Sequence, residues 1–192
     1  MNWTPGQTIN IFITDYEYKE YIQYVLYYHA QPYISMKLNF VDSGINSDLI
    51  IYVVDDYSSG GSSTNGNQKH GFMILNSKNL AFGNTNVEDV EKPSSESNTR
   101  EFNWARYTIL REFANVLNLR NINQNSCQYE NACDPHDPYS ILNIPSNSYD
   151  PDSPFNKFNR SPHTLDTYSP EDIEWLLQYY GNQYDSYEDI DW

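Results

Sequence analysis

The side chains able to do chemistry in this 192-residue chain are few and scattered. Its four histidines are His29, His70, His136 and His163, and only His136 stands among other ligand types, in the run Cys133-Asp134-Pro-His136-Asp137-Pro138. Asp134, His136 and Asp137 form a weak alternative metal site, suited to calcium before zinc because oxygen ligands dominate. The plainer reading of that run is a solvated turn whose Asp-Pro steps set the bends. His29 falls on the apolar face of a helical stretch and reads as a core histidine, whereas His70 and His163 read as surface groups. Cys127 and Cys133 are six apart in a polar segment. They are a possible disulfide in an oxidising compartment or two ordinary thiols, and the sequence admits both. No Gly-x-Ser-x-Gly elbow, phosphate loop or cysteine beside a histidine in an electropositive setting occurs, so the usual routes to nucleophilic catalysis are missing.

Charge and composition narrow the classes further. Eleven Lys and Arg against 26 Asp and Glu give a net charge of −15. An acidic chain of this kind is not expected to bind nucleic acid, whose phosphates require a basic face. No apolar run approaches the roughly 20 residues that span a bilayer, so no membrane insertion is expected. Aromatic residues make up 16% of the chain and 18 of them are tyrosine. The core must therefore lean on rings, and many hydroxyls need partners. Met1-Asn2-Trp3 runs straight into polar sequence with no visible leader, so the chain is either intracellular or has lost one.

Periodicity predicts the elements that would position a site. Gln7–Thr14 alternates as a strand, and Asp15 is placed to cap a helix with Tyr18, Ile22, Val25 and His29 on one stripe, stopped by Pro32. Ile34, Met36, Leu38 and Phe40 alternate as a second strand. Leu49–Val54 is a continuous apolar run expected in the middle of a sheet. The Gly/Ser/Asn-rich stretch from Ser58 to Gln68 reads as a surface loop, followed by a strand over Gly71–Leu75. A long helix is predicted from Asn103 to Leu119, with Tyr107, Leu110, Ala114 and Leu117 on one face. Residues 121–162 show little periodicity. Ser169-Pro170-Glu171-Asp172 then starts a last helix, with a Ser cap, Pro at its first position and an acid three residues on, and Gly181 ends it. The expected class is α+β: a twisted mixed sheet with two long helices, then an irregular part ending in a helix.

The segment Thr108-Ile-Leu-Arg111-Glu112-Phe-Ala-Asn115-Val-Leu-Asn118-Leu-Arg-Asn121-Ile-Asn-Gln124 resembles the zinc helix of the astacin-like metallopeptidases of the metzincin clan, written H-E-x-x-H-x-x-G-x-x-H. Glu112, the apolar spacers and Gln124 fit that template, while Arg111, Asn115 and Asn121 replace its three histidines. Asp137-Pro-Tyr-Ser140-Ile141-Leu142-Asn143-Ile144-Pro145 is similar to the family's Met-turn, with Leu142 for the methionine and Ile144 for the tyrosine. Ser161–Leu165 and the helix from Ser169 to Gly181 resemble the closing segment, and the likeness runs from about residue 3 to 181. It implies a single metzincin-like domain over 1–192. Residues 1–120 would form an N-terminal subdomain with the sheet and the former zinc helix, and 121–181 a C-terminal one. Residues 182–192 are an acidic aromatic tail, expected to pack on the chain's own surface.

The substitutions alter what the resemblance implies. Arginine has no lone pair to give and stays cationic, and asparagine offers only neutral amide oxygens, weak donors for zinc. Glu112 would take a proton from zinc-bound water in the family, and without the metal that water's pKa stays near 15.7 rather than about 7. Asn118 stands where the family has glycine, and asparagine is the next best residue for a left-handed turn. The expectation is a catalytically inactive pseudo-peptidase that uses no cofactor and serves as a binding or assembly module for a protein partner or for itself. The cleft would hold an extended peptide beside an edge strand, placed at Gly71–Leu75 and Leu80–Gly83. Its binding residues would be Arg111, Asn115, Asn121, Phe72 and Ile74. The alternatives are an enzyme with a non-standard metal near His136, or a carbohydrate-binding or structural protein that uses its tyrosines. Family resemblance favours a secreted protein.

Overall fold

The computed structural model describes residues 3–55, 60–62, 71–81, 85, 87, 103–119, 140–142 and 166–181, with 60–62 described as backbone. Expectations for His70, Asn121, Cys127, Cys133, Asp134, His136, Asp137, Ile144, His163 and residues 182–192 lie outside these.

Five strands form one sheet: β1 (Thr8–Ile13), β2 (Lys37–Val41), β3 (Leu49–Val54), β4 (Gly60–Ser62) and β5 (Gly71–Asn76), in the order β2-β1-β3-β5-β4. The first four in that order pair in parallel, and β4 runs antiparallel on β5. A mixed sheet was expected, and β3 lies at its centre. Alternation decides which side chains face inward. Ile9, Ile11 and Ile13 of β1, Leu49 and Ile51 of β3, and Met73 and Leu75 of β5 are buried, while Phe12, Ile50, Phe72 and Ile74 are only half-buried. Tyr52 on β3 is 40% exposed, so the central strand is covered on one face and not on both.

Helices α1 (Lys19–His29), α2 (Ser77–Ala81) and α3 (Trp104–Val116) gather against that covered face, and α4 (Pro170–Tyr180) joins them. Helix α1 buries Tyr21, Ile22, Val25 and Leu26. Its expected stripe turns slightly, since Tyr18 and His29 are half-buried and His29 is no core residue. Asp15 does not cap α1. Its Oδ1 accepts from the backbone N–H of Glu17 and of Tyr18, making a turn ahead of the helix, whose N-cap is Tyr18. Pro32 falls in a short 3-10 turn, Gln31–Tyr33, just beyond the helix end.

Three other expectations change. The stretch predicted as loop between Ser58 and Gln68 contains β4, which pairs Gly60, Gly61 and Ser62 with Ile74, Met73 and Phe72. Glycine and serine need no apolar face to serve on a short edge strand, so the pattern gave no sign of it. Strand β5 is consequently interior to the sheet and not its edge, and Leu80 belongs to α2 rather than to a strand. Gly181 does follow α4, yet with φ −73 it is extended and not left-handed. A Cβ there would lie 2.4 Å from the Leu177 carbonyl oxygen, so close approach explains the glycine.

Candidate functional site

Helix α3 is buried along almost its whole circumference. From Asn103 to Leu119 only Trp104, Arg111, Asn115 and Asn118 reach solvent; Arg111 and Asn115 are one turn apart on one side of the helix, and Asn118 lies in the turn just past its end. The helix and its exit turn thus open to the outside through one cation and two amides. Two of these positions, Arg111 and Asn115, are where the resemblance places metal ligands.

The helix is fixed at both ends by distant parts of the chain. At its start the Asn103 side chain accepts from the Arg106 N–H at 3.1 Å, and its own N–H donates to Asp166 Oδ2 at 3.0 Å. Its amide nitrogen also donates to the Tyr21 hydroxyl of α1 at 3.1 Å. Arg106 is fully buried, with Nη1 3.6 Å from Asp166 Oδ2. Burial raises the Tyr21 phenol, and the Arg106 charge partly offsets that rise. At the C-terminal end the orphan carbonyls find aromatic donors. The Trp3 indole N–H donates to Val116 O at 3.1 Å, and the Tyr180 hydroxyl donates to Leu117 O. Trp3 lies where a side chain on Gly71 would stand, 3.2 Å from the would-be Cβ. Asn118 then turns the chain with φ 64, the left-handed conformation expected of it.

Glu112, 2% exposed, sits beside the open stripe. The Asn115 amide donates to its Oε2 at 3.0 Å, and Arg111 Nη1 lies 3.7 Å from its Oε1. That second distance exceeds hydrogen-bonding range, so the contact is Coulombic. The Arg111 Nε is buried and has no hydrogen-bond partner among the described residues. One turn earlier, burial holds the Tyr107 phenol far above its ordinary value against the pull of the Arg111 charge.

Leu142 and its neighbours are tied to the last helix by one carboxylate. Ser140 donates its hydroxyl to Asp172 Oδ1 at 2.7 Å, and the Ile141 N–H donates to Oδ2 at 2.7 Å. The Ser169 N–H reaches the same Oδ2 at 3.1 Å, closing the predicted capping box. The sequence showed Asp172 as a helix-capping acid and gave no sign of its hold on Ser140, 32 residues away. Just ahead of α4 the Tyr168 hydroxyl donates to Leu110 O of α3 at 3.2 Å.

The structure brings Arg111, Glu112 and Asn115 together. It does not join Phe72 and Ile74 to them: those two point from β5 to the sheet face opposite the buried Met73 and Leu75, while α3 packs on the covered side. Zinc does not fit this arrangement. Arg111 supplies only donors and a positive charge, and the Asn115 amide nitrogen is committed to Glu112. Among the described residues no group of three or more His, Cys, Asp or Glu side chains converges, and no helix is long and apolar enough to cross a membrane.

No protein-family model matches the chain, and no curated protein sequence matches it either. Solved structures do. One structure of myroilysin superposes with a TM-score of 0.53 at 12% identity, over 94% of this chain and 96% of that one. A second gives 0.46 at 14% identity, over 94% and 86%. At such identity the likeness concerns the fold alone, which this chain shares with myroilysin at a coarse level.

Proposed function

We propose that the chain is a catalytically inactive relative of the astacin-like metallopeptidases that binds a protein partner through the open stripe of α3. The observation that carries this reading is the state of Glu112. Its two oxygens face the Asn115 amide and the Arg111 guanidinium, the side chains that stand where the resemblance puts metal ligands. A general base needs an activated water, and neither neighbour can hold the metal that would activate one. What the stripe retains is hydrogen-bonding capacity on an accessible helix face, which suits recognition of polar chain.

The test is metal content and proteolysis on the purified full chain. Elemental analysis after incubation with zinc should return no stoichiometric transition metal, and a mixed peptide library should survive intact. One bound zinc per chain, or cleavage abolished by a chelator, would overturn the reading.

A carbohydrate reading draws on one observation elsewhere. On the outer face of α4 the rings of Trp175 and Tyr179 stack at 5.6 Å and 14°, beside a hollow of about 470 Å³ lined by Pro170, Glu171, Glu174, Trp175 and Gln178. Stacking rings flanked by carboxylates and an amide suit a sugar. A glycan array repeated with Trp175→Ala distinguishes the two readings.

A further inference from the structure

Arg111 is the unexplained group of the site. Three-quarters of its side chain is buried, its Nε has no hydrogen-bond partner among the described residues, and its Nη1 is 3.7 Å from Glu112 Oε1. A guanidinium carries five N–H donors in a planar fork. Buried polar groups are nearly always satisfied, so the lone Nε marks a guanidinium that its surroundings do not saturate. A quarter of the side chain is exposed and the rest is held in the wall of α3, which limits the ordering cost of receiving a ligand.

We infer that Arg111 is an anion receptor that takes a carboxylate of a bound peptide, with Asn115 aligning the peptide's backbone beyond it. The fork matches a carboxylate in bidentate fashion, where a lysine or a metal-binding imidazole would not. Arg111 and Asn115 stand four positions apart, about 6 Å along the helix, the length of about two residues of extended chain. Amide side chains present both donor and acceptor, the complement of a peptide group. Glu112 offsets part of the Arg111 charge but takes none of its N–H donors, because 3.7 Å is beyond hydrogen-bonding range, and the donors are what a second carboxylate would use. The inference rests on the non-catalytic reading above and names the ligand chemistry of the same site: where the family places a cation held by neutral ligands, this chain places a cation of its own.

The experiment uses the full chain labelled with ¹⁵N-arginine. The sequence has five arginines, so the Nε–Hε signals are few, and the Arg111 signal is the one missing from Arg111→Gln. The probes are three sets of N-acetyl tetrapeptides: with a free C-terminal carboxylate, the same peptides as C-terminal amides, and amides carrying an internal glutamate. A carboxylate set should shift the Arg111 signal, and its affinity should fall about tenfold to a hundredfold in Arg111→Gln, with partial recovery in Arg111→Lys. The first set acting alone identifies a chain terminus as the source, and the third acting too identifies an acidic side chain. Circular dichroism of each variant separates lost binding from lost folding. Arg111→Lys, which retains the charge, serves if Arg111→Gln unfolds. Equal binding of charged and neutral peptides, binding unaffected at Arg111, or no binding by any set would overturn the inference. Stoichiometric zinc would instead overturn the non-catalytic reading, so the two failures are distinguishable.

Discussion

Asn115 donates its amide to the Glu112 carboxylate at 3.0 Å, three residues back on the same helix, and so binds the one carboxylate that the resemblance treats as a general base. Because the two replaced positions, Arg111 and Asn115, stand four apart, one turn of helix separates them and both reach solvent. The double substitution Arg111→His with Asn115→His should therefore place two imidazoles on one side and create a zinc site at these two positions. We expect zinc to bind this variant about tenfold more tightly than either single variant, about 1.4 kcal/mol. Calorimetric titration with zinc and its reversal by a chelator measure this. Equal affinity in all three variants would mean that the two positions do not face a common point.

Asp172 holds the turn at residues 140–142 through two of its three accepted hydrogen bonds and caps α4 with the third. Asp172→Ala removes all three and leaves the buried Ser140 hydroxyl and Ile141 N–H unsatisfied. The expected loss is about 2–4 kcal/mol, from capping and from orphaned buried donors together. Asp172→Asn keeps one acceptor oxygen and should lose less. Urea unfolding followed by circular dichroism gives the midpoints, and a loss under about 0.5 kcal/mol for the alanine variant would show that the carboxylate does not hold the turn.

Asn118 sets the exit from α3 with φ 64. A β-branched side chain is strained there, so Asn118→Val should cost about 1–2 kcal/mol, whereas Asn118→Gly should be neutral within about 0.5 kcal/mol. Thermal melts of the pair suffice. If valine is tolerated as well as glycine, the left-handed turn is not needed for folding.

How much of this was legible in the sequence depends on the range of the signal. Local patterns read well. Alternation in Thr8–Ile13, the Ser169–Asp172 box and the left-handed preference of Asn118 are settled within a few residues, and the structure has all three. Strand β4 failed because Gly60-Gly61-Ser62 has no side-chain pattern, and only its pairing with β5 defines it. Taking β5 for an edge followed from the same blind spot. In the site, the identity of Arg111 and Asn115 was plain, but their contacts with Glu112 depend on rotamers that spacing does not specify. The Trp3 and Tyr180 donors that close the C-terminal end of α3 come from 113 and 63 residues away, and no window of sequence contains both partners. Asp172 was visible as a cap and invisible as the anchor of Ser140 for the same reason.

The core is mainly aliphatic and does not lean on rings as expected, yet the tyrosines in and against it make a prediction about alkaline pH. Burial raises the phenols of Tyr21, Tyr33, Tyr107, Tyr168 and Tyr180 above their ordinary 10.0. A proton held more tightly in the folded than in the unfolded chain stabilises the fold at pH values below 10.0, and that stability is lost as pH climbs toward the folded values. Each unit of difference is about 1.4 kcal/mol. Ionising Tyr168 or Tyr180 also destroys a donor, to Leu110 O in one case and Leu117 O in the other, so the helix contacts fail with the charge. We therefore expect part of the phenolate absorbance to appear only together with the loss of near-ultraviolet circular dichroism. Tyr168→Phe should cost about 1 kcal/mol at neutral pH from its missing hydrogen bond, yet lose less stability between neutral and strongly alkaline solution. Full ionisation of every tyrosine with the fold intact would show that these phenols are not sealed in the core.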